Sequence, residues 1–290
     1  MLYETYHQVK SIKAAIDILL DKKYKSPQII AGGTDILPQF KKGIIKPDIL
    51  VDISKIKDLT KIRITKDMIS IGAAVTFTEI IESKIIRMES PLLIEASKQV
   101  GSPQIRNMGT IGGNICTASG AADLVPCLFA LDAKIILVRR QGERTIPIRD
   151  FILSNRKIPI KLGELVKEVA FKRLPTTTSA AFIKLGLRES ISISVVNAAV
   201  ILDIKAGVIS DSTIVIGCVG PKAICCKSTQ ELLKGKIPSE SLFKQASEII
   251  VKEISPIDDI RGSAVFRLHL AKVLVYKALN SAVSKADIGN

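Results

Sequence analysis

The sequence has no tryptophan and only 4% aromatic residues, so it lacks the stacking rings that a single-strand nucleic-acid binder interleaves with its basic side chains. Histidine is as scarce: His7 and His269 are the only two. Neither has a serine, cysteine or carboxylate partner at a recognisable catalytic spacing, which leaves nucleophilic hydrolysis without support. The five cysteines, at 116, 127, 218, 225 and 226, form no C-x-x-C pair. An odd, scattered set argues against a disulfide framework and against a zinc or iron–sulfur site, so no metal is expected in this chain. No run approaches the roughly 20 apolar residues that span a bilayer, and the opening MLYETYHQVK lacks the apolar block of a secretory leader. A cytoplasmic location without a membrane span is expected. Neither G-x-G-x-x-G nor G-x-x-x-x-G-K-[ST] occurs, which removes the Rossmann and P-loop nucleotide sites.

What is present is a long, hydrophobic and basic chain. Its 290 residues, 47% of them hydrophobic, suit two or three lobes around a sizeable core. The net charge of +14 raises a nucleic acid or an acidic protein surface as partner. The lysines are spread along the whole sequence rather than gathered into a stripe, so no nucleic acid is expected, and a lysine-rich solvated surface with one face for an acidic subunit is the plainer reading.

Apolar residues at Val9, Ile12, Ile16, Leu19 and Leu20 fall at steps of about three and four and predict an amphipathic helix over 8–20. Two β-rich runs, 29–31 and 49–53, flank a glycine loop and complete a small first lobe over 1–55. A second lobe, 56–175, starts with a hairpin over 61–71. Thr76 or Thr78 then opens one helix and Pro91 another, and strands follow at 134–138, 144–146 and 164–171. Pro175 and the threonines at 176–178 read as a linker. A C-terminal α+β domain, 176–290, has strands at 180–185, 195–204 and 214–216. Helices are expected around 229–234, 240–253 and 263–282, with Val265, Leu268, Ala271, Val275 and Leu279 as the buried stripe of the last.

Two glycine segments stand out. Ile29-Ile30-Ala31-Gly32-Gly33-Thr34-Asp35-Ile36-Leu37-Pro38 runs from a β-branched stretch through paired glycines, and Thr34 or Asp35 is placed to cap the short helix that follows. Thr110-Ile111-Gly112-Gly113-Asn114 leads through Cys116, Ala118, Ser119 and Gly120 to Asp123, a loop expected to precede a helix that Asp123 caps. Bare backbone at both segments leaves N–H groups uncovered for an anion. Tight-turn service alone would also explain them. Two such cradles together point to a diphosphate.

AGGTDILP at 31–38, TIGGN at 110–114 and the Ala118-to-Asp123 spacing resemble the FAD-binding medium subunit of the molybdenum hydroxylases, as do Phe182-Ile183-Lys184, the turn at 217–221 and Asp259-Ile260-Arg261-Gly262-Ser263. That family includes the flavoprotein subunits of carbon monoxide dehydrogenase and of aldehyde or xanthine dehydrogenases. The resemblance implies an α+β fold, a two-lobed FAD-binding domain of the PCMH type followed by a smaller α+β domain. It implies FAD in this chain, with molybdenum cofactor and [2Fe-2S] clusters in large and small partner subunits of a heterotrimer or a dimer of heterotrimers. The activity implied is electron transfer from the clusters through FAD to an external acceptor, in a complex expected to oxidise an aldehyde. A stand-alone flavin oxidase or reductase is the other flavin reading, and a basic nucleotide- or nucleic-acid-binding protein, which would need a concentrated positive stripe, is the alternative of another class.

By the same resemblance the FAD-binding residues are Ile30, Ala31, Gly32, Gly33, Thr34, Asp35 and Ile36 in the first segment and Thr110, Ile111, Gly112, Gly113, Asn114, Cys116 and Asp123 in the second. The N–H groups of 32–36 and 110–114 are expected to hold the pyrophosphate, with the helix starts adding their positive ends. Thr34 and Thr110 hydroxyls would add donors, and Asp35 would serve as a cap. Asp123 would accept from sugar hydroxyls, and Lys184 would favour the anionic reduced flavin or the phosphates. Val100, Val166 and Cys116 would be apolar flavin neighbours. No catalytic residue is expected. Arg261-Gly262-Ser263 reads as a cap for the last helix.

Overall fold

The computed structural model describes residues 5–153, 157–188 and 192–288. The first four residues of the N-terminal stretch read for a leader, and the last two residues of the C-terminal domain, lie outside them.

The first lobe is a three-stranded parallel sheet with the order β1-β3-β2, formed by β1 (Thr5–Gln8), β2 (Pro27–Ile30) and β3 (Ile49–Asp52). Helix α1 (Ile12–Leu19) covers it, burying Ala15, Ile16 and Leu19. The helix expected from residue 8 starts at 12, because Ser11 caps it by accepting from Ala14 N–H. Residues 5–8 pair with β3 instead. That strand carries no apolar alternation, since Tyr6, His7 and Gln8 are exposed on a sheet edge. Ahead of α2 (Ile36–Lys41) lies the first glycine segment, at the carboxyl end of β2, where open parallel sheets place their ligands.

The second lobe is a five-stranded antiparallel sheet, order β4-β5-β8-β6-β7. The hairpin β4 (Ile62–Ile64) and β5 (Met68–Gly72) is followed by α3 (Phe77–Glu82), α4 (Lys84–Glu89), α5 (Pro91–Lys98), α6 (Pro103–Met108), α7 (Ile111–Thr117) and α8 (Leu124–Ala130). Thr76 starts α3 with a reciprocal capping box to Glu79, and Pro91 is the first residue of α5, where its missing N–H costs nothing. The strands β6 (Lys134–Arg139) and β7 (Gly142–Pro147), the short α9 (Ile148–Phe151) and β8 (Leu165–Lys172) complete the lobe. One expectation fails here. Residues 111–117 are helical, not loop: Thr110 supplies the N-cap and Gly112 and Gly113 lie in the first turn, so paired glycines that read as loop punctuation open a helix.

The third sheet is an antiparallel meander of β9 (Thr178–Gly186), β10 (Ser194–Lys205), β11 (Val208–Gly217) and β12 (Ile224–Cys225). Strand β10 is buried on both faces from Ser194 to Leu202, which explains why Val195 to Leu202 are apolar but for Asn197. Ala198, Val200 and Leu202 face a core closed by α11 (Glu240–Ile249) and α12 (Ala264–Ile288), with α10 (Lys227–Leu233) beside them. Ala199 and Ile201 join the core of the second lobe, where α5 and α8 pack on the sheet. The buried stripe of α12 runs through Leu270, Ala271, Leu274, Val275, Ala278, Leu279 and Ala282. Val265, expected in that stripe, is 76% exposed, on the side of the first turn opposite the buried Arg267.

Ser263 caps α12 by accepting from Phe266 N–H, while Arg261 does something else. It clasps Asp259 and donates to the Ser194 carbonyl at 3.1 Å. Arg267, only 2% exposed, donates to the same carboxylate and to the Cys218 carbonyl. Hydrogen bonds from Arg261, the larger effect, and from Arg267 hold the Asp259 carboxyl far below the usual carboxylate range. A depressed folded-state value means stabilisation that is complete above the unfolded value of about 4 and lost as pH falls below it. Thermal melts should therefore show a steep loss of stability below about pH 4, and Asp259→Asn should flatten that limb while lowering the melting temperature at neutral pH. An unchanged acid limb would remove Asp259 from the account.

Candidate functional site

The first and second lobes meet at their glycine segments. A Cβ built on Gly32 would lie 1.7 Å from the Met108 carbonyl oxygen and 3.1 Å from Gly109 N, so the loop after β2 rests directly on the backbone that leads into α7. Only glycine permits that approach. Gly33 turns the chain with φ +72°. Beyond it, Asp35 precedes α2 without capping it. Its carboxylate accepts instead from Gln39 Nε2 at 2.5 Å and from the Thr117 hydroxyl at 3.1 Å, so the residue read as a cap is a bridge to the far end of α7.

The N–H groups of Gly32, Gly33, Thr34, Asp35 and Ile36 have no acceptor among the described residues; the backbone bonds of this turn resume at Leu37 N–H, which donates to the Gly33 carbonyl. Five consecutive half-buried N–H groups at the carboxyl end of a strand are the donors that an anion nest uses.

The second segment is different. Ile111 N–H donates to Val75 O, Gly112 N–H to Ala73 O, Asn114 N–H to Thr110 O and Gly113 N–H to the Thr110 hydroxyl at 3.0 Å. The N–H groups of Ile111, Gly112 and Gly113, which a helix leaves free in its first turn, are thus all taken, and that of Asn114 makes the first intrahelical bond. The expected use of N–H groups 111–114 for an anion is therefore corrected, and Thr110 is a buried cap rather than a ligand hydroxyl. Gly112 is explained by packing, since a Cβ there would stand 2.5 Å from Ala73 O inside the second lobe. Of the paired glycines, Gly113 presents bare, exposed backbone, with nothing nearer than its own cap at 3.1 Å. Beside it, Asn114 Oδ1 is buried without a partner, an acceptor in want of a donor.

Asp123 precedes α8 but makes no capping bond. It is 6% exposed and turned toward the third sheet. Its Oδ2 takes Lys184 Nζ at 2.6 Å, and its Oδ1 takes Ser194 Oγ at 2.6 Å and Asn197 Nδ2 at 3.3 Å. Burial pushes the Asp123 carboxyl up, and the ammonium of Lys184 acts against that shift. Lys184, far from being a solvated strand lysine, has a side chain 7% exposed and also donates to the Gln99 carbonyl at 2.9 Å. That carbonyl begins the turn at 99–101, which Arg106 pins by donating to Val100 O and Gly101 O at 3.1 Å each.

The family model described as "FAD binding domain in molybdopterin dehydrogenase" matches residues 2–175, and "CO dehydrogenase flavoprotein C-terminal domain" matches 181–282. The chain belongs to this family of FAD-binding subunits. It is 37% identical to the nicotinate dehydrogenase FAD-subunit of Eubacterium barkeri over 230 residues, 78% of each chain. It is 30% identical to the carbon monoxide dehydrogenase medium chain of Hydrogenophaga pseudoflava, over 96% of each. A structure of carbon monoxide dehydrogenase from that organism, lacking the Mo-pyranopterin moiety of the molybdenum cofactor, superposes with a TM-score of 0.91 at 29% identity and 97% coverage of both chains. Quinoline 2-oxidoreductase from Pseudomonas putida 86 gives 0.92 at 26% identity and 97% coverage. The protein is thus an FAD-binding oxidoreductase subunit of the molybdenum hydroxylase family, with the mixed helix-and-sheet fold of those medium chains.

The remaining residues expected at the site of this flavoprotein subunit fall into two groups. Ala31 and Ile36 are half-buried around the nest, and Val100 sits half-buried in the Arg106-pinned turn. Ile30 is a buried strand residue, and Val166, 5% exposed, belongs to the core of the second lobe. Cys116 packs against the same core, and burial pushes its thiol up to about 12, which makes it a small hydrophobe rather than a reactive group. Gln39, Gln99, Arg106, Thr117, Ser194 and Asn197 escape a sequence reading. A polar residue in the middle of an apolar strand, Asn197 within Val195–Val200, is the one signal that could have found any of them.

Proposed function

We propose that this chain holds FAD across the junction of its first two lobes and relays electrons within a larger molybdenum hydroxylase complex. The observation that carries the proposal is the run of free N–H groups from Gly32 to Ile36, which fits a pyrophosphate. Gly113 leaves room for the nucleotide to lie against α7, and the unpartnered Oδ1 of Asn114 accepts from a ligand N–H or O–H. Lys184 uses two of its three ammonium protons on Asp123 and Gln99, which leaves one donor for an electron-rich edge of the ring. When bound, FAD supplies a carrier that takes single electrons and delivers pairs. The residues of this chain bind it, keep it oriented and stabilise its negative charge; none of them touches the carbon substrate.

The partners proposed are a large subunit carrying molybdenum cofactor, supported by the likeness to a chain of a Cu,Mo-CO dehydrogenase structure at a TM-score of 0.91 and 28% identity, and a small [2Fe-2S] subunit that loads the flavin, in the cytoplasm. For the whole complex an aldehyde is the first substrate class, supported by the glyceraldehyde dehydrogenase medium chain of Sulfolobus acidocaldarius at 29% identity. The higher identity of the nicotinate dehydrogenase subunit favours an N-heterocycle as the second. Assay of the purified complex with both classes separates them.

The purified chain should show a flavin absorption spectrum and should copurify with molybdenum and iron–sulfur subunits; a colourless chain that takes up no FAD would refute the assignment. Gly113→Val should keep the circular dichroism spectrum and lose the flavin, since the added side chain projects from an exposed helix turn. Flavin retained at the unmutated level would exclude α7 from the site.

A further inference from the structure

The flavin site reaches into the C-terminal domain through a row of residues that are cross-strand neighbours. Lys184 on β9 pairs in register with Asn197 on β10, and Asn197 with Gly217 on β11. With Phe182, Ala199 and Val215 next in line, the row lies on the sheet face that meets the second lobe. Gly217 has no side chain because a Cβ there would stand 2.1 Å from Asn197 Oδ1. The space it leaves is filled by the Asn197 amide, which is fully buried, as is Ser194.

Donor and acceptor counting then fixes the direction of every bond. Asn197 Nδ2 has two protons; it lies 3.1 Å from Ser194 Oγ and 3.3 Å from Asp123 Oδ1. Ser194 Oγ, accepting from the amide, has its single proton to give to Asp123 Oδ1 at 2.6 Å. Asp123 Oδ1 is therefore an acceptor twice over, while Oδ2 faces the Lys184 ammonium. A flipped amide would set its oxygen against the carboxylate. The amide orientation found leaves Asn197 Oδ1 buried without a partner, a cost the fold accepts to keep two donors on the carboxylate.

We propose that Ser194 and Asn197 are positioning residues of the flavin site, which hold Asp123 ionised in its buried setting and through it fix the Lys184 ammonium toward the bound ring. The inference rests on the flavin reading above. It follows that the C-terminal domain completes the site rather than merely covering it. The Arg261–Asp259–Arg267 cluster carries the support one step further, because Arg261 donates to the Ser194 carbonyl and Arg267 to the Cys218 carbonyl. The titratable groups around Asp123 are Lys184 on β9, Cys127 on α8 and Cys218 after β11, with Arg261 and Arg267 beyond Cys218. Burial raises both thiols, Cys218 to about 12, so at working pH the carboxylate answers to Lys184.

The test uses the full chain reconstituted with FAD. Ser194→Ala and Asn197→Ala should each weaken FAD binding by about tenfold and move the flavin midpoint potential to more negative values, as a loosened cation stabilises the reduced anion less. On acidification Ser194→Ala should release flavin at a higher pH than the unmutated chain, since Asp123 has lost a donor to its charged form. Ser194→Thr, which keeps the hydroxyl, should restore all three readings. If the alanine variants do not fold, Ser194→Cys, a near-isostere with a weak donor, should show the same shifts in smaller degree. A fall in melting temperature with unchanged affinity, potential and pH profile would overturn the inference and leave Ser194 and Asn197 as packing. An unmutated chain that binds no FAD would overturn the flavin reading itself, and this one with it.

Discussion

Gly32→Ala should yield a folded protein that elutes without flavin. The added methyl would meet the Met108 carbonyl oxygen at 1.7 Å, and that oxygen belongs to the backbone ahead of α7, not to the tip of a side chain that can swing aside. Either the loop after β2 or the 108–109 peptide must retreat. Overpacking of this kind costs about 1–3 kcal/mol, which a chain of this size survives. Its effect on the nest is larger in consequence, because the free N–H groups of 32–36 are directed by the seating of Gly32 on the second lobe. Gly33→Ala is the informative control: the strain there comes from φ +72° while the seat is untouched, so the loss of flavin should be smaller. Equilibrium dialysis against FAD, with circular dichroism to verify the fold, reads both. Equal retention in Gly32→Ala and the unmutated chain would show that the interlobe seat does not shape the site.

The second large effect is expected at Asp123. Asp123→Ala leaves the Lys184 ammonium buried beside a single carbonyl, with Ser194 and Asn197 facing a void. Removing one partner of a buried ion pair costs about 3–5 kcal/mol, a sizeable part of the roughly 5–15 kcal/mol by which domains are stable. The double variant Asp123→Ala with Lys184→Met should recover a good share of that loss, since the stranded charge is gone, yet neither should retain flavin at the unmutated level. Urea denaturation of the two single variants and the double gives the coupling energy. Additive losses, with no recovery in the double, would mean that Lys184 finds water or another acceptor when Asp123 is removed, and would sink the view of the pair as a sealed buried unit.

Much of the fold was legible in residue order. Thr76 with Glu79, Pro91 ahead of Leu92 and Leu93, and the alternation through 62–71 act within one turn or one hairpin, so local chemistry decides them. What escaped had no local cause. β1 exists because β3 offers it a ladder of hydrogen bonds, not because Tyr6-His7-Gln8 alternates in polarity. Helix α7 forms despite two glycines because Ala73 and Val75 accept from its first N–H groups, an anchorage from more than thirty residues upstream that propensity cannot register. Val265 stands three residues before Leu268 in the apolar period of α12, but it falls on the outer side of the first turn, opposite the buried Arg267.

The candidate site divides along the same line. Paired glycines at 32–33 and 112–113, and an aspartate and a lysine at family spacing, stand plainly in the sequence and by themselves determined the family and its cofactor. Which glycine serves which end was decided only by tertiary contact. Gly32 seats one lobe on another, Gly112 packs inside its own, and Gly113 alone is open. Asp123 and Lys184 meet across 61 positions because α8 packs on β10 and β11 and Lys184 reaches its start from the neighbouring β9, and Ser194 and Asn197 join them from a strand whose apolar pattern marks it only as core. A hydrogen bond between buried side chains depends on where two backbones come to rest, and that is settled by the packing of all three sheets together rather than by the residues on either side of the donor.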